Sequence, residues 1–384
     1  MQFPGTINSK LPAVGTTIFS VMSALARECN AINLSQGFPD FNPHPLLVEE
    51  MEKAMRGNFN QYAPMPGYMP LRERIAEKME ALYSAKVDPE SEITITAGGT
   101  QAIFTAILSV VRDNDEVILF APAYDSYAPA VELAGGKCVY YDLEAPDYKV
   151  NWQTVKKLIN NRTRMIMINT PHNPTGTVLN AFDMMQLDKL TKGTDIIVLS
   201  DEVYEHIVYD GLEHQSVLRF PKLAERSMVV SSFGKTYHTT GWKLGYCIAP
   251  KNLMTEFRKV HQFNVFSVSS AAQVAFAEVM KHKEMYLELG EFYKQKRDFF
   301  REAIKPSRFK TLKCEGTYFQ LVSYKSISED KDTEFVKWMT KEKLVAAIPV
   351  SVFYRHNIDN KVIRFCFAKE EETLKRAAEF INKI

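Results

Sequence analysis

The chain has few cysteines and no motif that pairs them. Cys29, Cys138, Cys247, Cys314 and Cys366 lie far apart without CxxC spacing, which fits neither a disulfide framework nor a zinc site, and no metal is expected. Long apolar runs are missing too. No window approaches the ~18 apolar residues of a membrane span, and Met1 to Lys10 has no charged stretch leading into an apolar core. These absences predict a cytoplasmic protein that does not enter a membrane. An excess of one charge is also absent: 47 Lys and Arg face 46 Asp and Glu. Nothing drives the chain onto a nucleic-acid backbone, and a small-molecule partner is expected. Neither GxGxxG nor GxxxxGK[ST] occurs, which argues against a dinucleotide or nucleoside triphosphate ligand. There is no internal repeat and no low-complexity tract.

What remains is an ordinary globular composition, with 46% hydrophobic and 24% charged residues over 384 positions. That length exceeds one compact core and suggests two large domains. Apolar positions recur at helical spacing over Leu46 to Met55 and again from Leu71 to Leu82. The connection between them, Asn60 to Pro70, holds three prolines, a glycine and two tyrosines, so it continues neither helix.

Beyond Glu90, seven β-rich runs alternate with helical stretches: 93–96, 117–120, 138–141, 165–169, 196–200, 228–231 and 244–248. Several are continuously apolar, as in strands covered by helices on both faces, so a mostly parallel α/β sheet is expected. After about residue 285 the texture changes. A charged helix over 286–304, strands near Tyr318 and Ile363, and helices near Phe335 and Leu374 read as a smaller α+β domain.

Ligands of open α/β sheets bind beyond the carboxyl ends of the strands. Five places there carry polar residues: Gly98-Gly99-Thr100, Tyr124, Asn173 between two prolines, Asp201 to Tyr204, and Ser232-Phe233-Gly234-Lys235. Each has a plain reading. Gly-Gly makes tight turns, an acid at a strand end caps helices, Asn-Pro makes turns, and most loop lysines are solvated. Each also has a chemical one. Small residues at a helix N-terminus let backbone N–H groups meet an anion, Asp201 at a buried strand end needs a cationic partner, and Lys235 among aromatics can become a Schiff-base nucleophile. Ser232-x-x-Lys235 also matches the SxxK of serine acyl enzymes, but the SDN-like Ser200-Asp201-Glu202 precedes it and no KTG follows. Taken together, a phosphate cradle, a stacking aromatic, an acid for a ring nitrogen, an amide and phenol for a ring oxygen, and a lysine for an aldehyde describe pyridoxal phosphate.

The run Ser232-Phe233-Gly234-Lys235-Thr236-Tyr237-His238, with Gly241-Trp242-Lys243-Leu244-Gly245, resembles the lysine motif of fold-type I, class I aminotransferases. Asn173-Pro174-Thr175-Gly176 and Asp201-Glu202-Val203-Tyr204 are similar to that family as well. The likeness begins at Thr16-Thr17-Ile18-Phe19-Ser20, continues through Asn33 to Pro39, and reaches Ile363 to Phe367, essentially the whole chain. Within the class, Ser231 to Tyr246, Tyr318 and Ala346 to Phe353 most resemble bacterial methionine aminotransferases and the kynurenine aminotransferase/glutamine transaminase K group. Lys243 departs from the arginine of many members, exchanging a two-donor fork for a point charge, and His238 replaces a small residue.

The resemblance implies a mostly parallel seven-stranded sheet sandwiched by helices. It also implies an N-terminal arm and part of the small domain over 1–48, a large cofactor-binding domain over 49–285 and a small C-terminal domain over 286–384. By it, Lys235 carries pyridoxal 5'-phosphate and moves the substrate proton, Asp201 keeps the ring nitrogen protonated, and Tyr204 and Asn173 bind the ring oxygen. Tyr124 stacks on the ring, while Gly99, Thr100, Ser232 and Lys243 take the phosphate. Tyr62 matches a residue that reaches the phosphate of a neighbouring subunit, so a homodimer with shared active sites is implied. Gly37, Asn173 and Arg364 fit the substrate carboxylate, and Phe19 and Phe266 suggest an apolar side-chain lining. The implied activity moves an amino group from a neutral amino acid, methionine or an aromatic one, to a 2-oxo acid. A kynurenine/glutamine-type aminotransferase, a cysteine-conjugate C–S β-lyase and a silent regulatory protein on the same fold are the rivals.

Overall fold

A computed structural model describes residue 1 and residues 3–384. All seven runs are strands of one sheet: β1 (Ile93–Thr96), β2 (Glu116–Ala121), β3 (Lys137–Asp142), β4 (Thr163–Asn169), β5 (Ile197–Asp201), β6 (Ser227–Ser232) and β7 (Gly245–Ile248). Their order is β1-β7-β6-β5-β4-β2-β3. Only β7 runs against its neighbours.

The continuous apolar runs have a direct cause. Side chains alternate across a strand, and here both faces are packed: Ile118, Ile166, Ile168 and Val198 enter one core, while Val117, Leu119, Met165 and Leu199 enter another. The first core is closed by helices Met69–Tyr83 and Ser270–Val279, and the second by Gly99–Val110 and Lys251–Asn264. No helix among the described residues is long and apolar enough to cross a membrane.

A third core gathers Met22, Ala26 and Leu34 with Phe300, Phe335, Phe365 and Leu374. It covers a four-stranded antiparallel sheet in which Phe319–Ser323 pairs with Val362–Cys366. The chain start joins it through Ile32–Asn33, which lies parallel to Val345–Ala346. The helix expected over 286–304 is instead two, Glu284–Leu287 and Leu289–Ala303, meeting at Glu288. Just beyond that junction Gly290 presses on the loop after β5, where a Cβ would stand 3.0 Å from the Val208 carbonyl. That close approach leaves room for no side chain at this position of the second helix.

Behind the strand ends lies a closed charge pair. Lys78 Nζ is 2.7 Å from Glu205 Oε1, and the Tyr83 and Ser231 hydroxyls donate to the same carboxylate at 2.6 and 2.8 Å. Burial opposes its ionisation, but Lys78 and the hydroxyl donors outweigh burial and hold the Glu205 carboxyl well below the ordinary carboxylate range. Removing one partner of a buried pair costs about 3–5 kcal/mol. Urea unfolding should therefore show Lys78→Met destabilised by that amount, with most of the loss recovered in Lys78→Met/Glu205→Leu. Equal stability of Lys78→Met and the unsubstituted protein would show that the pair contributes nothing.

Candidate active site

The loops after the strands enclose a cavity of about 330 Å³ at the contact of the large sheet with the third core. Gly99 and Thr100 follow β1, Tyr124 follows β2, and Asn173 follows β4. Asp201 ends β5 and Tyr204 comes shortly after, while Ser232, Lys235 and Lys243 lie between the end of β6 and the start of β7. Phe19, Gly37 and Arg364 close the cavity from the other side. Of the site residues expected from sequence, all but Tyr62 and Phe266 line this one cleft.

Asp201 sits at the last position of β5, in register with Asn169 of β4 and Val230 of β6. Tyr127 donates its hydroxyl to Oδ2 at 2.5 Å, and the Val203 N–H reaches Oδ1 at 3.2 Å. Burial nevertheless pushes the carboxyl up to about 6, because these donors do not replace a cation in contact. Lys235 stands in a short helical turn, Phe233–Thr236, and its ammonium donates to the Gly37 carbonyl at 3.1 Å. Burial, with Arg364 and Lys243 nearby, pulls its pKa down to about 8, which makes the free amine accessible near neutral pH.

Arg364 is buried, and its bonds go to neutral oxygens rather than to an acid. Its Nη1 donates to Asn173 Oδ1 at 2.7 Å and its Nη2 to the Ser35 carbonyl at 3.1 Å, while Nε has no partner among the described residues. The Phe319 ring centre lies 3.8 Å from the guanidinium carbon and fixes its plane. Such a fork, desolvated and short of an acid, suits a ligand carboxylate. Gly37 lets the backbone approach this ring, since a Cβ there would stand 2.8 Å from Phe319.

At the opposite end, Gly98 has φ +80° and precedes helix Gly99–Val110 without a side-chain cap. A Cβ on it would meet Lys243 Nζ at 3.3 Å. The result is a helix N-terminus beside a lysine, which together favour an anion.

Tyr62 and Phe266 lie outside the cleft. Tyr62 is 81% exposed and Phe266 38%, and their rings pack edge-on at 5.3 Å. The Ser267 hydroxyl donates to the Ala63 carbonyl at 3.0 Å and Ser270 to that of Gln61, which ties the Tyr62 loop to the segment carrying Phe266. Tyr127, Asn169, Gln36 and Phe319 belong to the site although the sequence reading does not single them out. Asn169 ends the strand beside β5, so its place at a strand end carries a signal, whereas Tyr127 opens a short helix that begins only after Tyr124 and no spacing points to it. Phe319 carries none. Ser200 donates to Glu202 behind the cleft, which removes the acyl-enzyme pattern.

The raised Asp201 pKa has a stability consequence. Its folded value of about 6 exceeds the ordinary 3.8, so the favourable contribution is full below 3.8 and is lost as pH rises through 6. In the ligand-free protein, Asp201→Asn should melt a few degrees above the unsubstituted chain at pH 8 and level with it at about pH 3.5. A difference independent of pH would place the ionisation elsewhere.

A family model for class I and II aminotransferases matches residues 30–381. A methionine aminotransferase of Escherichia coli is 51% identical over 98% of both chains. Human kynurenine–oxoglutarate transaminase 1 is 33% identical, covering 94% of this chain and 93% of its own. A crystal structure of an Escherichia coli protein with methionine aminotransferase function superposes with a TM-score of 0.97 at 50% identity, over 99% of this chain and 100% of that one. A match along nearly the full length, in sequence and in fold, means that the chain belongs to the class I and II aminotransferase family.

Proposed function

We propose that the cleft binds pyridoxal 5'-phosphate and that the enzyme moves the amino group of a neutral amino acid, methionine or an aromatic one, to a 2-oxo acid. The observation that carries this is the Asp201 carboxylate, without an ion-pair partner among the described residues, sharing one cavity with a desolvated Lys235, an anion cradle at one end and Arg364 at the other. Each would be costly without a ligand of matching charge. When bound, the cofactor supplies an electron sink and a temporary carrier for the amino group.

The chain's own residues divide the work. Lys235 holds the cofactor and moves the proton at the substrate Cα, and Asp201, steadied by Tyr127, keeps the ring nitrogen protonated. Burial raises the Tyr204 pKa, so its hydroxyl remains a donor to the ring oxygen together with Asn173. Tyr124 stacks on the ring, while Gly99, Thr100, Ser232 and Lys243 take the phosphate. Gly37 and Arg364 orient the substrate carboxylate. Phe19 borders the side-chain region, which suits a thioether or a ring. The segment His261 to Val268 has no Arg or Lys to receive a second carboxylate.

We further propose a cytoplasmic homodimer in which Tyr62 and Phe266 enter the partner's cleft. Their exposure, beside Phe263 at 91%, supports this reading. The division into 1–48, 49–285 and 286–384 is proposed on the same footing. The similarity to the human transaminase supports kynurenine as a second-choice donor.

Borohydride treatment of the yellow holoenzyme should fix the cofactor on Lys235, as read by peptide mapping. Label on another lysine would overturn the assignment. Single-turnover rate over dissociation constant should be at least about tenfold higher for methionine than for aspartate, because burying an unpaired carboxylate costs more than about 1.4 kcal/mol. Equal values would reveal an unrecognised cation in the pocket.

A further inference from the structure

One buried polar group near the cleft has no part in the chemistry above. His261, fully buried in helix Lys251–Asn264, directs Nδ1 toward Gln101, while its Nε2 has no hydrogen-bond partner among the described residues. Gln101 occupies the first turn of helix Gly99–Val110, immediately after the residues of the anion cradle.

The amide of Gln101 has one orientation that satisfies its neighbours. Its Oε1 accepts the Ala97 N–H at 2.9 Å, so its Nε2 is the donor. That nitrogen reaches Thr105 Oγ1 at 2.6 Å and His261 Nδ1 at 3.2 Å. Asn264 Nδ2 braces the same threonine at 3.3 Å. His261 is able to accept because burial keeps its ring neutral, with a pKa of about 4.

This arrangement bears on the cradle directly. Gly98 supplies no side-chain cap, and its own backbone is tied locally to Thr96, whose carbonyl takes the Gly98 N–H at 2.8 Å and whose hydroxyl reaches the Gly98 carbonyl at 3.2 Å. Gln101 adds a side-chain tie one residue earlier, reaching back from the first turn to the N–H of Ala97, the residue before Gly98. The first-turn N–H groups stay free to face an anion. Ring packing of His261 against Phe257, at 6.0 Å and 18°, fixes the acceptor that orients Gln101.

We propose that Gln101, oriented by His261, is a positioning residue that holds the phosphate cradle in its binding geometry. The inference rests on the reading of this cleft as a pyridoxal phosphate site and adds the device that shapes one end of it.

The test compares pyridoxal phosphate with pyridoxal, which lacks the phosphate, on Gln101→Met, His261→Phe and the double variant. Both substitutions keep approximate shape while removing the polar contact. Spectroscopic titration of the ligand-free proteins should show pyridoxal phosphate affinity lowered roughly five- to tenfold in each single variant, with pyridoxal affinity unchanged. The double variant should lose no more than Gln101→Met, because His261 acts through Gln101. Equal losses for both ligands, or multiplying losses in the double variant, would overturn the positioning role and indicate general structural damage. An undiminished preference for pyridoxal phosphate over pyridoxal in the single variants would overturn it as well. An unsubstituted protein that does not prefer pyridoxal phosphate over pyridoxal would instead refute the cradle itself.

Discussion

The desolvation of Asp201 is the constraint around which the cleft is arranged. Its carboxylate is buried at the end of β5, with a tyrosine hydroxyl and one backbone N–H but no cation in contact. Four residues on, Glu205 is buried as deeply yet has Lys78 at 2.7 Å. The two acids show what the fold does with charge. Behind the strands a pair is closed and serves stability, whereas in front an acid is left open for a ligand.

The same asymmetry recurs across the cavity. Lys235 is desolvated and meets a carbonyl and the rings of Tyr204 and Tyr318 rather than an acid, and Arg364 is buried against aromatic rings and an amide rather than an acid. Three charged groups are thus kept short of partners by elements from separate parts of the chain. The ends of β5 and β6 bring Asp201 and Lys235 together, and the third core supplies the other side with Arg364 and Gly37. Binding of a ligand that carries the complementary charges relieves all three, so affinity draws on a desolvation that folding has already imposed.

How much of this is legible beforehand follows from the physical range of each interaction. Several of the seven strands can be read because both faces of the sheet are packed there, which leaves a continuous apolar signature, while the edge strand Lys137–Asp142 is only partly buried. The residues just beyond them can be read because they follow those runs directly. Asn169 escapes the reading although it ends one of those runs, and Tyr127 escapes it because the helix it opens begins only after Tyr124. The break at Glu288 is not legible, since apolar positions continue on both sides of it, with Leu287 before and Leu289 after.

Local apolar patterning and short motifs are properties of linear order, and they suffice for the α/β class, the strand positions and the family likeness carried by Asp201, Asn173 and Lys235. The charge that each group feels is not of that kind. The pKa of Asp201 near 6, that of Lys235 near 8 and the open Arg364 all arise from burial by residues remote in sequence. Folding also leaves Tyr62 and Phe266 outside their own chain's cleft, in two segments that serine hydroxyls 204 and 209 positions away tie together. Electrostatic energies depend on distance and on the exclusion of solvent, and both exist only once the chain has closed around the site.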